Sequence, residues 1–129
     1  MSIKSILYVE DDPNIQMLIR LFLRNEPYEI ITADNPEEAQ DALLSQSFDI
    51  IIVDLTLQKD GDGAELIRTI RKMPGYEAIP IFVFSGFDES HFRKYNIDGL
   101  IQRFIRKPAK KNILIDTIRS FHDTTRSQK

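Results

Sequence analysis

Five short runs of this chain are apolar at nearly every position: 6–9, 28–32, 50–53, 81–84 and 104–105 with its neighbours. A strand with one wet face alternates apolar and polar residues; a run without that alternation must be covered on both faces, as in a parallel sheet. Each run is strand-sized and rich in Ile, Val, Phe or Tyr. Between the runs lie stretches with helical spacing. Residues 13–25 carry Ile15, Leu18, Ile19, Phe22 and Leu23, and residues 64–73 carry Leu66, Ile67 and Ile70. Residues 108–122 open at Pro108 and carry Leu114, Ile118 and Phe121, whereas 88–96 predict a weaker, more polar helix. Asp12 before Pro13, and Asn35 before Pro36, read as helix caps followed by a first helical residue. Glu37 and Glu38 then fall in a first turn, where the helix dipole favours acids.

Strand and helix thus alternate five times. That order predicts an α/β fold: a doubly wound, flavodoxin-like parallel sheet of five strands, in the order 2-1-3-4-5, with helices on both faces. The length of 129 residues fits one domain, 1–129, with a core of about 4–122 and a polar tail at 123–129. Apolar residues make up 42% and charged residues 29%, as expected for one packed core. A formal net charge of -3 argues against a nucleic-acid surface, and the absence of cysteine excludes disulfides and thiolate metal sites. The two histidines, His91 and His122, lie outside the strand-like runs and read as surface residues. Neither a signal peptide nor a membrane span is visible, so a cytoplasmic location is expected.

In such folds ligands bind beyond the carboxyl ends of the strands, at the switch point between the first and third. Glu10, Asp11 and Asp12 follow the first strand, Asp54 ends the third, Ser85 and Gly86 follow the fourth, and Lys107 and Pro108 follow the fifth. Glu10, Asp11 and Asp54 should therefore converge. Two like charges about 4 Å apart cost roughly 4 kcal/mol at an effective dielectric near 20, so such a site raises a pKa or recruits a cation. Oxygen ligands without His or Cys suit Mg²⁺. Lys107 adds a positive charge and Ser85 a hydroxyl. A carboxylate nucleophile, a divalent cation, a lysine and a hydroxyl are the parts needed to move a phosphoryl group onto Asp54. Asp12, standing before a proline, reads instead as a cap.

Four segments, Ile6-Leu7-Tyr8-Val9-Glu10-Asp11-Asp12-Pro13, Ile51-Ile52-Val53-Asp54-Leu55, Ile79-Pro80-Ile81-Phe82-Val83-Phe84-Ser85-Gly86 and Phe104-Ile105-Arg106-Lys107-Pro108, together resemble bacterial response-regulator receiver domains, the chemotaxis regulators among them. The resemblance covers nearly the whole chain. It implies phosphoryl transfer from the phosphohistidine of a sensor kinase or phosphotransfer protein to Asp54. It implies Mg²⁺ held by Asp11, Asp54 and the backbone carbonyl of Thr56, with Glu10 acting through water. Ser85 and Lys107 would contact the phosphoryl oxygens, and Phe104 occupies the place of the switch aromatic. A downstream protein, or a second copy of the chain, would read the face formed by 88–96, 101–106 and 108–122. The domain would bind neither nucleic acid nor membrane itself, and would not be a turnover enzyme. Departures from the pattern lie in the loop after Asp54, where Gln58 replaces a proline and the run to Gly63 is one residue longer. Two other readings are a Mg²⁺-dependent phosphohydrolase with an aspartyl-phosphate intermediate and a pseudo-receiver that only binds partners. The first lacks an acid at Thr56; the second would ordinarily have lost the acids or the lysine, all present here.

Overall fold

The computed structural model describes residues 4–55, 57, 61–86, 93–107 and 110–127, with side chains as far as Phe121. In chain order the elements are β1 (Lys4–Val9), α1 (Pro13–Leu23), β2 (Tyr28–Ala33), α2 (Pro36–Ser45), β3 (Ile50–Asp54), α3 (Asp62–Lys72), β4 (Ile81–Ser85), two 3₁₀ turns (Arg93–Tyr95 and Asp98–Leu100), β5 (Arg103–Arg106) and α4 (Lys111–Ser127). The strands form one sheet, β2-β1-β3-β4-β5. Every neighbouring pair is parallel. The fold is the expected flavodoxin-like one.

The continuous apolar runs have the cause expected of them. Successive side chains on β1 point to opposite faces, so Ile6 and Tyr8 join one core and Leu7 and Val9 the other. The first core lies under α1 and α4, with Ile19, Leu23, Leu114 and Ile118; the second lies under α2 and α3, with Ala39, Leu43, Leu66, Ile67 and Ile70. Both caps form as expected. Asp12 is extended and accepts the Asn14 N–H at 2.9 Å, and Asn35 accepts the Glu38 N–H at 2.8 Å. These bonds satisfy donors that a helix start leaves open, and they fix where α1 and α2 depart from the strands.

Three boundaries differ from the sequence reading. The helix expected over 88–96 falls partly outside the described residues, and its described end is the 3₁₀ turn Arg93–Tyr95, closed by Asn96 with φ of 58°. The described last helix begins at Lys111 and runs to Ser127; Pro108, expected to open it, lies outside the described residues. The third helix begins at Asp62, two residues early, behind Gly61 at φ 97°, which has no side chain to advertise a cap. Gly63 is needed for close approach. A Cβ there would lie 2.7 Å from both Cα and O of Leu55 and would collide with the Asp54 carbonyl.

Helix α3 also holds the segment that follows β4. Arg68 donates to the Tyr95 carbonyl at 2.6 Å. Arg71 donates to the Leu100 carbonyl through Nε at 3.0 Å and Nη2 at 2.7 Å, and to the Tyr76 carbonyl at 3.0 Å. Its Nη2 also meets Gln102 Oε1 at 3.1 Å, an oxygen that accepts the Ile81 N–H at 2.7 Å.

Candidate functional site

Polar side chains gather at the carboxyl end of the sheet, and the register explains why. The β1 ladder continues one residue past the strand, with the Glu10 N–H donating to the Ala33 carbonyl at 3.0 Å. Asp54 is the last residue of the central strand and pairs with Phe84. The Lys107 N–H donates to the Ser85 carbonyl at 2.7 Å, which brings the ends of β4 and β5 together. Glu10 is 1% exposed, Asp54 3% and Ser85 0%. Burial this deep is exceptional for carboxylates unless they are paired.

The pairing is with Lys107. Its ammonium lies 3.0 Å from Glu10 Oε1 and 3.1 Å from Asp54 Oδ2. Glu10 Oε1 also accepts the Tyr8 hydroxyl at 3.0 Å, and Oε2 accepts the Asp12 N–H at 3.3 Å. The Gln16 amide donates to the Glu10 carbonyl and, at 2.8 Å, to Asp34 Oδ1, tying α1 to the ends of β1 and β2. Glu10, Asp11 and Asp54 each offer a carboxylate oxygen, all within 4.8 Å of one another. Three oxygen donors with no imidazole or thiolate among them make a set that a hard divalent cation fits.

Electrostatics follow from this crowding. Burial, then Glu10, pushes the Asp54 carboxyl up to about 7, against the pull of Lys107. Burial and Glu10 also raise Asp11. Burial works against the Lys107 ammonium, but Asp54 and Glu10 outweigh it and hold that group above the ordinary lysine range. One cation thus serves two buried carboxylates, and the cluster retains a negative excess directed at the open side, where Asp11 is exposed. Such a site can take a cation and then an anion, and Asp54 can act on that anion as a nucleophile.

The structure brings Glu10, Asp11, Asp54 and Lys107 together, with Ser85 ending the neighbouring strand. Asp12 is a cap. Thr56 lies outside the described residues. Phe104 is half-buried beside Val83, its partner in the β4–β5 register. Tyr8, Gln16 and Gly63 were not singled out in the sequence. Tyr8 sits inside an apolar run and reads as core; its spacing of two from Glu10 was the available signal. For Gly63 the signal was the second of two consecutive Asp-Gly pairs.

Residues 6–119 match the family model of the response regulator receiver domain. The transcriptional regulatory protein ResD of Bacillus subtilis is 33% identical over 103 residues, which are 80% of this chain and 41% of ResD. The CAI-1 autoinducer sensor kinase/phosphatase CqsS of Vibrio cholerae is 27% identical over 116 residues, 89% of this chain and 17% of CqsS. The chain therefore spans less than half of either relative. A CheY-like response regulator receiver domain protein from Methanospirillum hungatei has the same fold, with a TM-score of 0.86 at 23% identity, covering 99% of this chain and all of that one.

Proposed function

Since the chain belongs to the response regulator receiver family of two-component systems, we propose that Asp54 accepts a phosphoryl group from a phosphohistidine on a sensor histidine kinase or phosphotransfer protein. The observation that carries this reading is the Lys107 ammonium set between Glu10 and Asp54 at the end of the central strand. An Asp54 oxygen forms the new O–P bond as the P–N bond breaks, and the electron pair of the broken bond stays on the imidazole nitrogen. Lys107 and the Ser85 hydroxyl contact the phosphoryl oxygens. Asp11, Asp54 and the Thr56 carbonyl would hold Mg²⁺, with Glu10 reaching it through water. When bound, Mg²⁺ would supply positive charge that offsets the negative charge of the reacting groups.

Hydrolysis of the acyl phosphate later restores the Asp54 carboxylate, so the domain catalyses its own loading and unloading without turning over a free substrate. The output is a change in protein contacts, to a downstream partner or a second copy through residues 88–122, in the cytoplasm where kinase phosphohistidines are made. In this reading the domain itself touches neither nucleic acid nor membrane. None of the described helices is long and apolar enough to cross a membrane.

Incubation with acetyl phosphate and Mg²⁺ tests the reading by intact mass and peptide mapping. One phosphoryl group on Asp54 is expected, lost with time, with none taken up by Asp54→Asn or Asp11→Ala. Uptake by Asp11→Ala at the wild-type rate would remove the metal assignment. Steady turnover of a free phosphomonoester would favour a phosphohydrolase.

A further inference from the structure

Tyr8 is wholly buried in the layer under α1 and α4, among Ile, Leu and Phe side chains. A tyrosine in such a layer needs a partner for its hydroxyl. The two-residue repeat of extended backbone puts residues 8 and 10 on the same side of the sheet, and Glu10 Oε1 accepts the hydroxyl at 3.0 Å. That oxygen is the one that Lys107 reaches at 3.0 Å. The other, Oε2, accepts a backbone N–H from Asp12. A neutral hydroxyl, an ammonium and a backbone amide therefore fix the Glu10 carboxylate between them. Burial, then Glu10, raises the Tyr8 pKa far above its usual value, so the group remains a donor. Its ring meets Phe84 edge-on, with centroids 5.7 Å apart, immediately before Ser85.

We propose that the Tyr8 hydroxyl is a positioning group for cation binding at this site: it orients Glu10 and shares with Lys107 the task of satisfying Oε1, which leaves the ammonium available to Asp54. The proposal rests on the receiver reading above. Tyr8 touches neither the cation nor the reacting atoms; it acts through Glu10. Partners of a direct ligand are worth about tenfold or more in metal affinity; Tyr8 stands one step further out, behind a carboxylate that reaches the cation through water, so its loss weakens binding less than that. Tyr8→Phe keeps the ring on Phe84 and removes only the hydroxyl.

The experiment is Mg²⁺ titration by calorimetry without a phosphodonor, on wild type, Tyr8→Phe and Asp11→Ala. Tyr8→Phe is expected to weaken Mg²⁺ binding several-fold, short of the roughly tenfold loss seen when a direct ligand's partner is removed. Its melting temperature should stay near wild type, and raised Mg²⁺ should restore most of its rate with acetyl phosphate. In wild type the ¹³Cζ resonance of Tyr8 should shift as Mg²⁺ is added, with the same dissociation constant. Tyr8→Leu, which also removes the ring, should lower the melting temperature without weakening Mg²⁺ binding further. Wild-type affinity in Tyr8→Phe together with lost binding in Asp11→Ala overturns the role of Tyr8 and leaves the receiver reading standing. Unchanged binding in both variants overturns the two together.

Discussion

Asp54 occupies a position that disfavours its own charge. It is buried at the end of a central strand with Glu10 beside it, and one lysine serves both. Without a cation its carboxyl titrates near 7, above the roughly 3.9 of an unfolded chain. A raised carboxyl favours the folded state fully below the unfolded pKa, and that contribution disappears as pH rises through the folded pKa. In Mg²⁺-free buffer the wild type is therefore expected to lose stability relative to Asp54→Asn between about pH 4 and 7. By pH 8 the difference should reach at most about 4 kcal/mol, read from urea unfolding, and Mg²⁺ should shrink it. A pH-independent difference would mean that Asp54 is already charged at low pH. Glu10, Asp11, Asp54, Ser85 and Lys107 were legible from sequence because each stands just after an apolar run, where a parallel sheet collects its chemistry. Tyr8 was not, since a tyrosine among Ile, Leu and Val looks like core, and its hydroxyl gains meaning only from the neighbour two residues on.

At the scale of elements, what could be read locally was read correctly. Caps at Asp12 and Asn35 depend on a few adjacent residues, and both helices start where those residues place them. The third helix is governed instead by contact across the fold. Gly63 lets it pass against the backbone at the end of β3, where a methyl group would collide with Asp54 and Leu55. Gly63→Ala is therefore expected to cost roughly 1–3 kcal/mol, an overpacking penalty that backbone movement can only partly relieve. Because the strain falls on the Asp54 carbonyl, phosphoryl uptake should slow even where the variant remains folded. Thermal unfolding and the rate with acetyl phosphate measure the two effects; a variant normal in both would mean that α3 shifts freely. Of the segment 88–96 only 93–96 are among the described residues, and there the chain forms a 3₁₀ turn in place of the expected α-helix. Arg93, Lys94 and Asn96 are polar and exposed, and packing rather than propensity supplies most helix stability. Around Tyr95 the chain is held by buried Ile97 and by arginine from α3 together.

For the whole molecule, phosphorylation would add nearly two negative charges and three acceptor oxygens at one end of the sheet. Lys107 connects that end to β5, and Ser85 connects it to β4. Phe104 already lies half-buried beside Val83, so completing its burial would contribute only about 1 kcal/mol, less than for a ring starting in water. The two conformations should accordingly be close in energy, with measurable exchange before phosphorylation. Amide NMR with beryllofluoride and Mg²⁺ is expected to shift Ser85, Phe104, residues 93–106 and the exposed side of α4. Shifts confined to residues 10–12, 54 and 85 would separate the site from that face. The arginine attachments between α3 and this region have a consequence for how the protein can diverge. Arg68 and Arg71 grip the carbonyls of Tyr95 and Leu100, groups that every amino acid carries. The exposed side chains at Arg93, Lys94 and Asp98 can thus be exchanged without losing these attachments, so the outer surface is free to change its identity while its mooring to the carboxyl end of the sheet stays the same.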